Sequence, residues 1–179
     1  MLKVEHVGPI AGKHLQAKAI KALLWSLVGI LVYVAFRFKH INFAIAGVIA
    51  LFHDILVALG FLAMTGREID LLSVTAFLTI AGYSINDTIV IYDRVRENAK
   101  LMRKLSLLEL INLSVNQTLS RTLLTSGVTL LMVFAILLFG GEVLSNFAFT
   151  LLVGFISGVY STVYIVSPLV LAWSRKKTF

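Results

Sequence analysis

Residues 42–64 read NFAIAGVIALFHDILVALGFLAM, an apolar stretch with the pair His53–Asp54 near its middle. A helix needs roughly 20 mainly apolar residues to cross a hydrocarbon core of about 30 Å, and this stretch is long enough. Apolar residues make up 59% of the 179-residue chain, whereas soluble domains contain about 45–50%. The mean hydropathy is +0.93. These features predict a membrane protein and identify this stretch as one of its spans.

Four other segments share this length and composition, so five spans are predicted. Their bounds are 20–36, 42–64, 71–92, 122–139 and 143–173. The predicted fold class is an all-α membrane protein, a five-helix transmembrane bundle over residues 20–179 preceded by an N-terminal segment, 1–19. In residues 105–120, apolar residues recur at helical spacing between polar ones. That pattern predicts an amphipathic helix at the cytoplasmic surface, before the chain turns into the fourth span.

The positive charges predict the orientation of the bundle. Two connections and the C-terminal tail hold 11 of the 16 Lys and Arg residues: Arg37, Lys39, Arg94, Arg96, Lys100, Arg103, Lys104, Arg121, Arg175, Lys176 and Lys177. Because cytoplasmic loops are enriched in Lys and Arg, the C-terminus is predicted to be cytoplasmic. Five spans then place residues 1–19 on the external side, although they too are basic. We therefore expect the chain to be a fragment, preceded by a further span and an external domain.

Asp87 is the most informative residue, because it lies inside the third predicted span. An ionised side chain at the bilayer centre costs at least ~2.5–3.5 kcal/mol on insertion scales, so such a residue is expected to face protein or water. At about 100° per residue, Thr79, Tyr83 and Asn86 share one polar arc of the helix with Asp87. This arc could hydrate or hydrogen-bond the carboxyl group.

Arg121 is the predicted partner of Asp87, because it begins the fourth span in the same half of the membrane. Gln117 and Thr125 lie one turn before and after it on the same face. An arginine stays charged while a buried aspartate can be charged or neutral, so the pair has two states and could act as a protonation switch. The predicted proton pathway is Asp87, Arg121, Asn86, Tyr83, Gln117 and Thr125. The alternative is a static buried pair that fixes the register of the two helices.

His53 and Asp54 form a second candidate site in the second span. Histidine is the side chain whose charge changes near neutral pH, so this pair could also carry protons. Adjacent residues on a helix point about 100° apart, so the two side chains need not contact each other. The alternatives are an interior histidine held by hydrogen bonds and an aspartate that bonds a neighbouring helix.

Enzyme signals are weak in this sequence. It has no GxSxG elbow, no HExxH or Cys/His cluster and no glycine-rich nucleotide loop, and it contains no cysteine. Asp54 and Asp87 do not lie in the GxGD-type loop of an aspartyl intramembrane protease. We therefore expect no catalytic activity, no metal and no cofactor. We attribute the net charge of +7 to contacts with anionic lipid headgroups and not to binding of nucleic acid.

Four stretches resemble the SecF branch of the SecD/SecF family. The most specific is GYSINDTIVIYDRVREN at 82–98. The others are ALFHDILVALG at 50–60, NQTLSRTLLTSG at 116–127 and LFGGEVL at 138–144. The resemblance covers most of the chain.

This resemblance implies a fold and a function. SecF proteins have six transmembrane helices with an external domain after the first, and they belong to the superfamily of resistance-nodulation-division (RND) exporters. The five spans would be the second to sixth of such a six-helix half. With SecD and the SecYEG channel, SecF proteins use the proton-motive force to assist preprotein translocation across the cytoplasmic (inner) membrane. The proton-pathway residues of the family match Asp87 and Arg121, and the implied partners are SecD, SecYEG, the preprotein and membrane lipids.

Two other functions stay open at this point. One is a fragment of an RND-type small-molecule exporter, which would belong to a much longer chain with large external loops. The other is a structural membrane subunit whose ionisable residues only specify assembly. Titration of Asp87 in a reconstituted complex would separate this last possibility from a proton-coupled export subunit.

Overall fold

The computed structural model describes residues 9–38 and 41–174. Within those ranges the chain is helical and has no strand. The helices are α1 (Pro9–Phe38), α2 (Ile41–Met64), α3 (Leu71–Leu101), α4 (Leu107–Phe139), α5 (Gly141–Ser161) and α6 (Ser167–Ser174). A π-helical segment, Thr162–Val166, joins α5 to α6, so the three form one continuous span. Five helices are long and apolar enough to cross a membrane, which confirms the predicted five-helix bundle.

Local side-chain contacts determine where the long helices begin. Asp70 caps α3 by accepting a 2.7 Å hydrogen bond from the backbone N–H of Ser73. Ser106 caps α4, and Glu109 completes the capping box by accepting a 2.8 Å bond from the Ser106 N–H. Such boxes satisfy N–H groups that have no partner in the first helical turn. Gly141, with φ of 72°, supplies the left-handed residue at the tight turn between α4 and α5.

The fourth helix differs from the prediction in one respect. The sequence predicts an amphipathic helix over residues 105–120, before the chain turns into the fourth span. In the structure, α4 runs unbroken from Leu107 to Phe139, so the amphipathic part is the first turns of that span. The helical structure is interrupted earlier, between the end of α3 and Ser106, where the capping box begins α4. Likewise α1 begins well before residue 20, and α3 continues about two turns beyond residue 92.

The span that begins with α5 lies at the centre of the bundle and contacts α2, α3 and α4, while α1 packs at the periphery against α2 and α3. From residue 17 to its end, most residues of α1 are exposed, including Trp25 and Phe36. Gly154 allows the close approach of α5 to α3, because a β-carbon there would overlap the side chain of Ile80. Gly154 and Gly158 form a GxxxG pair, which therefore acts as a helix-packing motif.

Two apolar clusters fill the interior, and a polar layer lies between them. On α2, Leu51 belongs to one cluster and Ile55 to the other, with Asp54 between them. On α3, Ile80 and Ile85 flank Ser84 in the same way. The helices therefore place their buried polar side chains at a common level, where these groups can bond one another.

Candidate functional site

Asp87 lies on α3 and faces α4. Its residue is 7% exposed, and its Oδ2 accepts a long 3.4 Å hydrogen bond from the hydroxyl of Ser126 on α4. This is the one hydrogen bond to the Asp87 carboxyl among the described residues. The carboxyl is therefore buried but weakly held, because a bond of this length lies beyond the normal range for hydroxyl donors.

Arg121 lies on α4, five residues before Ser126, whose hydroxyl bonds Asp87. The guanidinium is exposed, and it forms no ion pair within the part of the chain that the structure describes. Thr125 lies on the same exposed face, and its hydroxyl donates to the backbone carbonyl of Arg121 at 2.9 Å. The structure thus brings Asp87 and Arg121 into one region without direct contact between them.

Tyr83 and Asn86 extend in different directions from α3. The Tyr83 hydroxyl donates a 3.0 Å hydrogen bond to Thr129 of α4, and its ring lies 4.4 Å from that of Phe155 on α5. Tyr83 therefore ties three helices together one turn from Asp87. Asn86 is exposed, and its side chain makes no hydrogen bond to a described residue.

Gln117 belongs to a different network. Its Oε1 accepts hydrogen bonds from Arg94 Nε at 2.6 Å and from Asn98 Nδ2 at 2.9 Å. Asn98 is buried, and its amide also donates to the Ser114 hydroxyl at 2.9 Å. These contacts join the last turns of α3 to the first turns of α4. Gln117 therefore binds the two helices together and does not reach Asp87.

Asp54 is the most completely coordinated polar group in the described structure. It is fully buried on α2, and its carboxylate accepts 2.8 Å hydrogen bonds from the hydroxyls of Ser84, Ser157 and Ser161. Ser84 lies on α3, and the other two serines lie one turn apart on α5. Hydrogen bonds to a charged acceptor are shorter and stronger than those between neutral groups. The carboxylate of Asp54 therefore joins three helices at the centre of the bundle.

His53 contacts Asp54, although adjacent residues on a helix need not meet. The His53 Nδ1 lies 3.2 Å from Asp54 Oδ1, and the imidazole is partly exposed. Its ring centroid lies 6.4 Å from that of Tyr160 on α5. His53 therefore links the buried carboxylate to the outer surface of the bundle.

The π-helical segment begins immediately after this group of serines. Thr162, its first residue, is fully buried, with its hydroxyl 3.3 Å from that of Thr88 on α3. The widened turn shifts the register of the last span between Ser161 and Ser167. Such π-bulges occur frequently at functional sites. Here the last span directs hydroxyl groups to two helices from successive positions, Ser161 to Asp54 on α2 and Thr162 to Thr88 on α3.

Several of these residues were not found by the sequence reasoning, namely Ser84, Thr88, Asn98, Ser114, Ser126, Ser157, Ser161 and Thr162. A signal for two of them is present, because Ser157 and Ser161 lie four residues apart beside the glycines of the GxxxG pair. A small, hydroxyl-bearing face on an apolar span has to pack against another helix. Among the described residues, no group of three His, Asp or Glu side chains could hold a metal ion.

Apolar helices enclosing two buried carboxylates define a multi-pass membrane protein with ionisable groups inside its bundle. Such groups typically mark ion, proton or substrate pathways. The family described as protein export membrane protein SecD/SecF, C-terminal, matches residues 1–176. The chain belongs to this family.

Individual relatives agree with this assignment. Protein translocase subunit SecF of Koribacter versatilis is 49% identical over 172 residues, which cover 96% of this chain and 42% of that protein. Protein translocase subunit SecDF of Thermus thermophilus is 48% identical over 177 residues, covering 99% and 24%. The crystal structure of SecDF from Thermus thermophilus, a translocon-associated membrane protein, matches 94% of this chain and 23% of its own, with a TM-score of 0.90 and 48% identity. This chain spans less than half the length of either relative.

Proposed function

We propose that this chain is the membrane part of a Sec protein-export subunit that uses the proton-motive force to assist preprotein translocation across the cytoplasmic membrane. Relatives named protein translocase subunit SecF and SecDF support the export role. The proposed energy source is proton movement through the bundle, which is worth ~2.3 kcal/mol per charge per 100 mV of membrane potential.

The weak coordination of Asp87 is the observation that carries this proposal. Asp54 accepts three 2.8 Å bonds from serine hydroxyls, whereas Asp87 accepts one 3.4 Å bond from Ser126. Protonation of Asp54 would disturb hydrogen bonds on three helices. A change of charge on Asp87 disturbs little, so this carboxyl can exchange a proton while the bundle stays assembled. We therefore assign proton transfer to Asp87 and a mainly structural role to Asp54.

Arg121 supplies the second half of the proposed switch. When Asp87 is ionised, its charge attracts the guanidinium toward a closed ion pair. When Asp87 takes up a proton, that attraction disappears and Arg121 returns to the exposed position it has here. A bistable pair of this kind converts one proton into a displacement of α4 relative to α3. Tyr83 and Thr125 then guide the pair, because both lie within one turn of it.

The SecD half is the proposed partner, and exposed polar residues support it. Thr75, Thr79, Gly82 and Asn86 fall within one narrow arc of α3, and all four are exposed. The Asn86 amide has no hydrogen-bond partner among the described residues, and an unsatisfied polar group in hydrocarbon costs on the order of a few kcal/mol. This arc therefore suits a protein surface better than lipid. SecYEG and the preprotein would be reached through that complex.

Replacement of Asp87 by asparagine tests the proton step. The substitution is to be made in the complete export complex, reconstituted in vesicles with an imposed proton gradient. We expect Asp87→Asn to assemble normally and to lose the gradient-dependent part of preprotein translocation, because asparagine cannot exchange a proton. Ser126→Ala is the matched control, since it removes the one hydrogen bond to Asp87 and keeps the carboxyl. Normal gradient-driven export by Asp87→Asn would refute the proposal.

The partner and the orientation have separate tests. Gly82→Trp should reduce co-purification with tagged SecD in mild detergent, because an added Cβ at Gly82 meets open space and the indole would project into the proposed interface. Val32→Trp, at an exposed position of α1, is the control. Equal recovery of SecD with both variants would place the partner elsewhere.

The orientation of the chain is tested with a reporter enzyme that is active only in the cytoplasm. Fused to the C-terminus, this reporter should be active, because the C-terminus is predicted to be cytoplasmic.

A further inference from the structure

A cavity of about 600 Å³ opens at the end of the bundle where α1 and α3 end and α2 and α4 begin. Aromatic residues Phe38, Phe43 and Tyr92 form its floor. Their rings pack edge to face, with centroids 5.3 Å apart for Phe38 and Tyr92 and 4.6 Å apart for Phe43 and Tyr92. The Tyr92 hydroxyl donates to the backbone carbonyl of Phe43 at 2.9 Å. The floor is therefore fixed in position and presents an apolar surface to the cavity.

The rim of this cavity is basic. Arg96 and Lys100 lie one turn apart on α3, Arg103 follows in the connection to α4, and the small side chain of Ala99 leaves space beside them. All three cations are exposed. No acidic side chain lines the cavity within the described ranges. The rim therefore offers three positive charges beside an apolar chamber.

The nearby carboxylates do not neutralise this rim, because they are engaged elsewhere. Asp93 pairs with Arg37 at 2.9 Å, and Glu97 pairs with Arg94 at 2.6 Å. The three rim cations form no ion pair with any residue that the structure describes. An uncompensated basic cluster at the end of membrane-spanning helices attracts anions at the headgroup level.

We propose that this cavity binds one anionic phospholipid, with its phosphate among Arg96, Lys100 and Arg103 and part of an acyl chain against the aromatic floor. The volume lies in the range of ordinary ligand sites, roughly 300–1,000 Å³. A free phosphate ion would use only the rim and leave the apolar chamber unoccupied. A zwitterionic lipid would fill the chamber, but the amine of its headgroup would face three positive charges. An anionic phospholipid fits both the basic rim and the apolar chamber. Such a lipid site is a function additional to the export role proposed above.

Native mass spectrometry of the purified chain in detergent tests the site. The probes are phosphatidylglycerol, phosphatidylcholine with the same acyl chains, and inorganic phosphate. We expect the chain to retain phosphatidylglycerol at least about tenfold more strongly than phosphatidylcholine, given the contribution of each basic residue near an anionic surface. Equal retention of the two lipids would overturn the proposal.

Three variants, with a fourth as a substitute, separate the effect of charge from the effect of the cavity's shape. Arg96→Gln with Lys100→Gln should lower phosphatidylglycerol retention about tenfold, whereas Lys18→Gln with Lys21→Gln removes the same charge from α1 and should leave it unchanged. Ala99→Leu should also lower retention, because it fills the chamber and leaves the charge intact. Helix content by circular dichroism verifies that each variant folds, and Arg103→Gln in the connection is the substitute if the double variant does not. Retention of phosphatidylglycerol by the rim variant at the level of the parent chain would contradict the lipid site. Binding of inorganic phosphate, together with no effect of Ala99→Leu on phosphatidylglycerol, would also contradict it.

Discussion

The Ser84 hydroxyl donates a 2.8 Å hydrogen bond to Asp54 and so joins α3 to α2, three residues before Asp87 on the same helix. Helix α3 therefore bonds the Asp54 carboxylate of α2 through Ser84 and carries Asp87 itself, and the two carboxylates differ in how firmly they are held. Asp54 is fully buried among serine hydroxyls, and Asp87 is slightly exposed and weakly bonded. The first arrangement suits a fixed joint between helices, and the second suits a group that changes its charge.

Replacing each carboxylate by leucine should show this difference in stability. Asp54→Leu removes an acceptor for three buried hydroxyls, of which Ser161 also donates to the backbone carbonyl of Gly158 at 3.2 Å. Ser84 and Ser157 are left unsatisfied, and each buried polar group without a partner costs about 1–3 kcal/mol. We expect a loss of at least ~2 kcal/mol, against ~1 kcal/mol or less for Asp87→Leu. Unfolding by SDS in mixed micelles, followed by circular dichroism, measures both.

Asn is the control at position 54, because its carbonyl and amide can still bond the serines. We expect Asp54→Asn to retain most of the stability that Asp54→Leu loses. Buried charges can sometimes be replaced by apolar residues without penalty. If Asp54→Leu proves as stable as the parent chain, the serines find other acceptors and Asp54 does not hold the helices together.

Gly154 should be the glycine least tolerant of substitution in the central span. A β-carbon at this position would overlap Ile80 Cδ1 and Cγ1, whereas one at Gly127 on α4 would meet no atom within 4 Å. We expect Gly154→Ala to lower the free energy of unfolding by about 1–3 kcal/mol, the usual cost of overpacking. Gly127→Ala should be neutral or slightly stabilising, because alanine favours the helix.

The Ile80→Ala background tests the cause of that loss. It removes all the atoms that the new methyl group would overlap. In a double-mutant cycle, Gly154→Ala should then be much better tolerated, with a coupling energy of about 1 kcal/mol or more. Additive effects of the two substitutions would mean that Gly154 serves the helix backbone and not the contact with α3.

The fold could be predicted well because the bilayer imposes long apolar segments that are visible in the sequence. The five spans follow from the length and composition of these segments. The sequence does not reveal that α4 is continuous, because an amphipathic pattern shows which face of a helix is polar but not where the helix begins or ends. The beginning of α4 is determined by the capping box of Ser106 and Glu109, and a serine three residues before a glutamate is too ordinary a pattern to identify it.

The polar interior was harder to predict than the spans. The cost of burial predicts that Asp87 faces protein or water, and in the structure both Asp54 and Asp87 are buried inside the bundle. This cost did not show that Ser84 would bond Asp54, because that contact depends on how α3 rotates against α2 and α5. Gln117 was grouped with Arg121 by helical spacing, yet its partners Arg94 and Asn98 come from another helix. Whether Asp87 and Arg121 act as a switch stays a prediction.

Arg67, in the connection between α2 and α3, should be an important contact to the first turns of α5, at the end of the bundle opposite the cavity. Its guanidinium donates to Ser145 at 3.0 Å and to Asn146 at 2.9 Å, and it lies 4.5 Å from the ring centroid of Phe149. We expect Arg67→Lys to destabilise the bundle by about 1 kcal/mol or more, because lysine keeps the charge but loses the planar fork and the stacking. Combining Arg67→Ala with Asn146→Ala in SDS unfolding should show coupling, whereas additive losses would contradict the contact.

Arg121→Lys should impair proton-driven export even though it preserves the charge. In the structure the guanidinium is exposed and unpaired with Asp87, so the closed state of the proposed switch must form by movement. A planar guanidinium can hold a carboxylate by two parallel hydrogen bonds, while an ammonium offers a single point of contact. We expect about tenfold slower translocation for Arg121→Lys in vesicles with a proton gradient, which corresponds to ~1.4 kcal/mol of activation free energy.

Two variants serve as controls for Arg121→Lys. Arg121→Ala sets the lower limit of the assay, and Lys104→Arg, in the connection before α4, controls for a change of cation type. If Arg121→Lys matches the parent chain while Arg121→Ala is inactive, positive charge alone suffices and the two-bond contact is wrong.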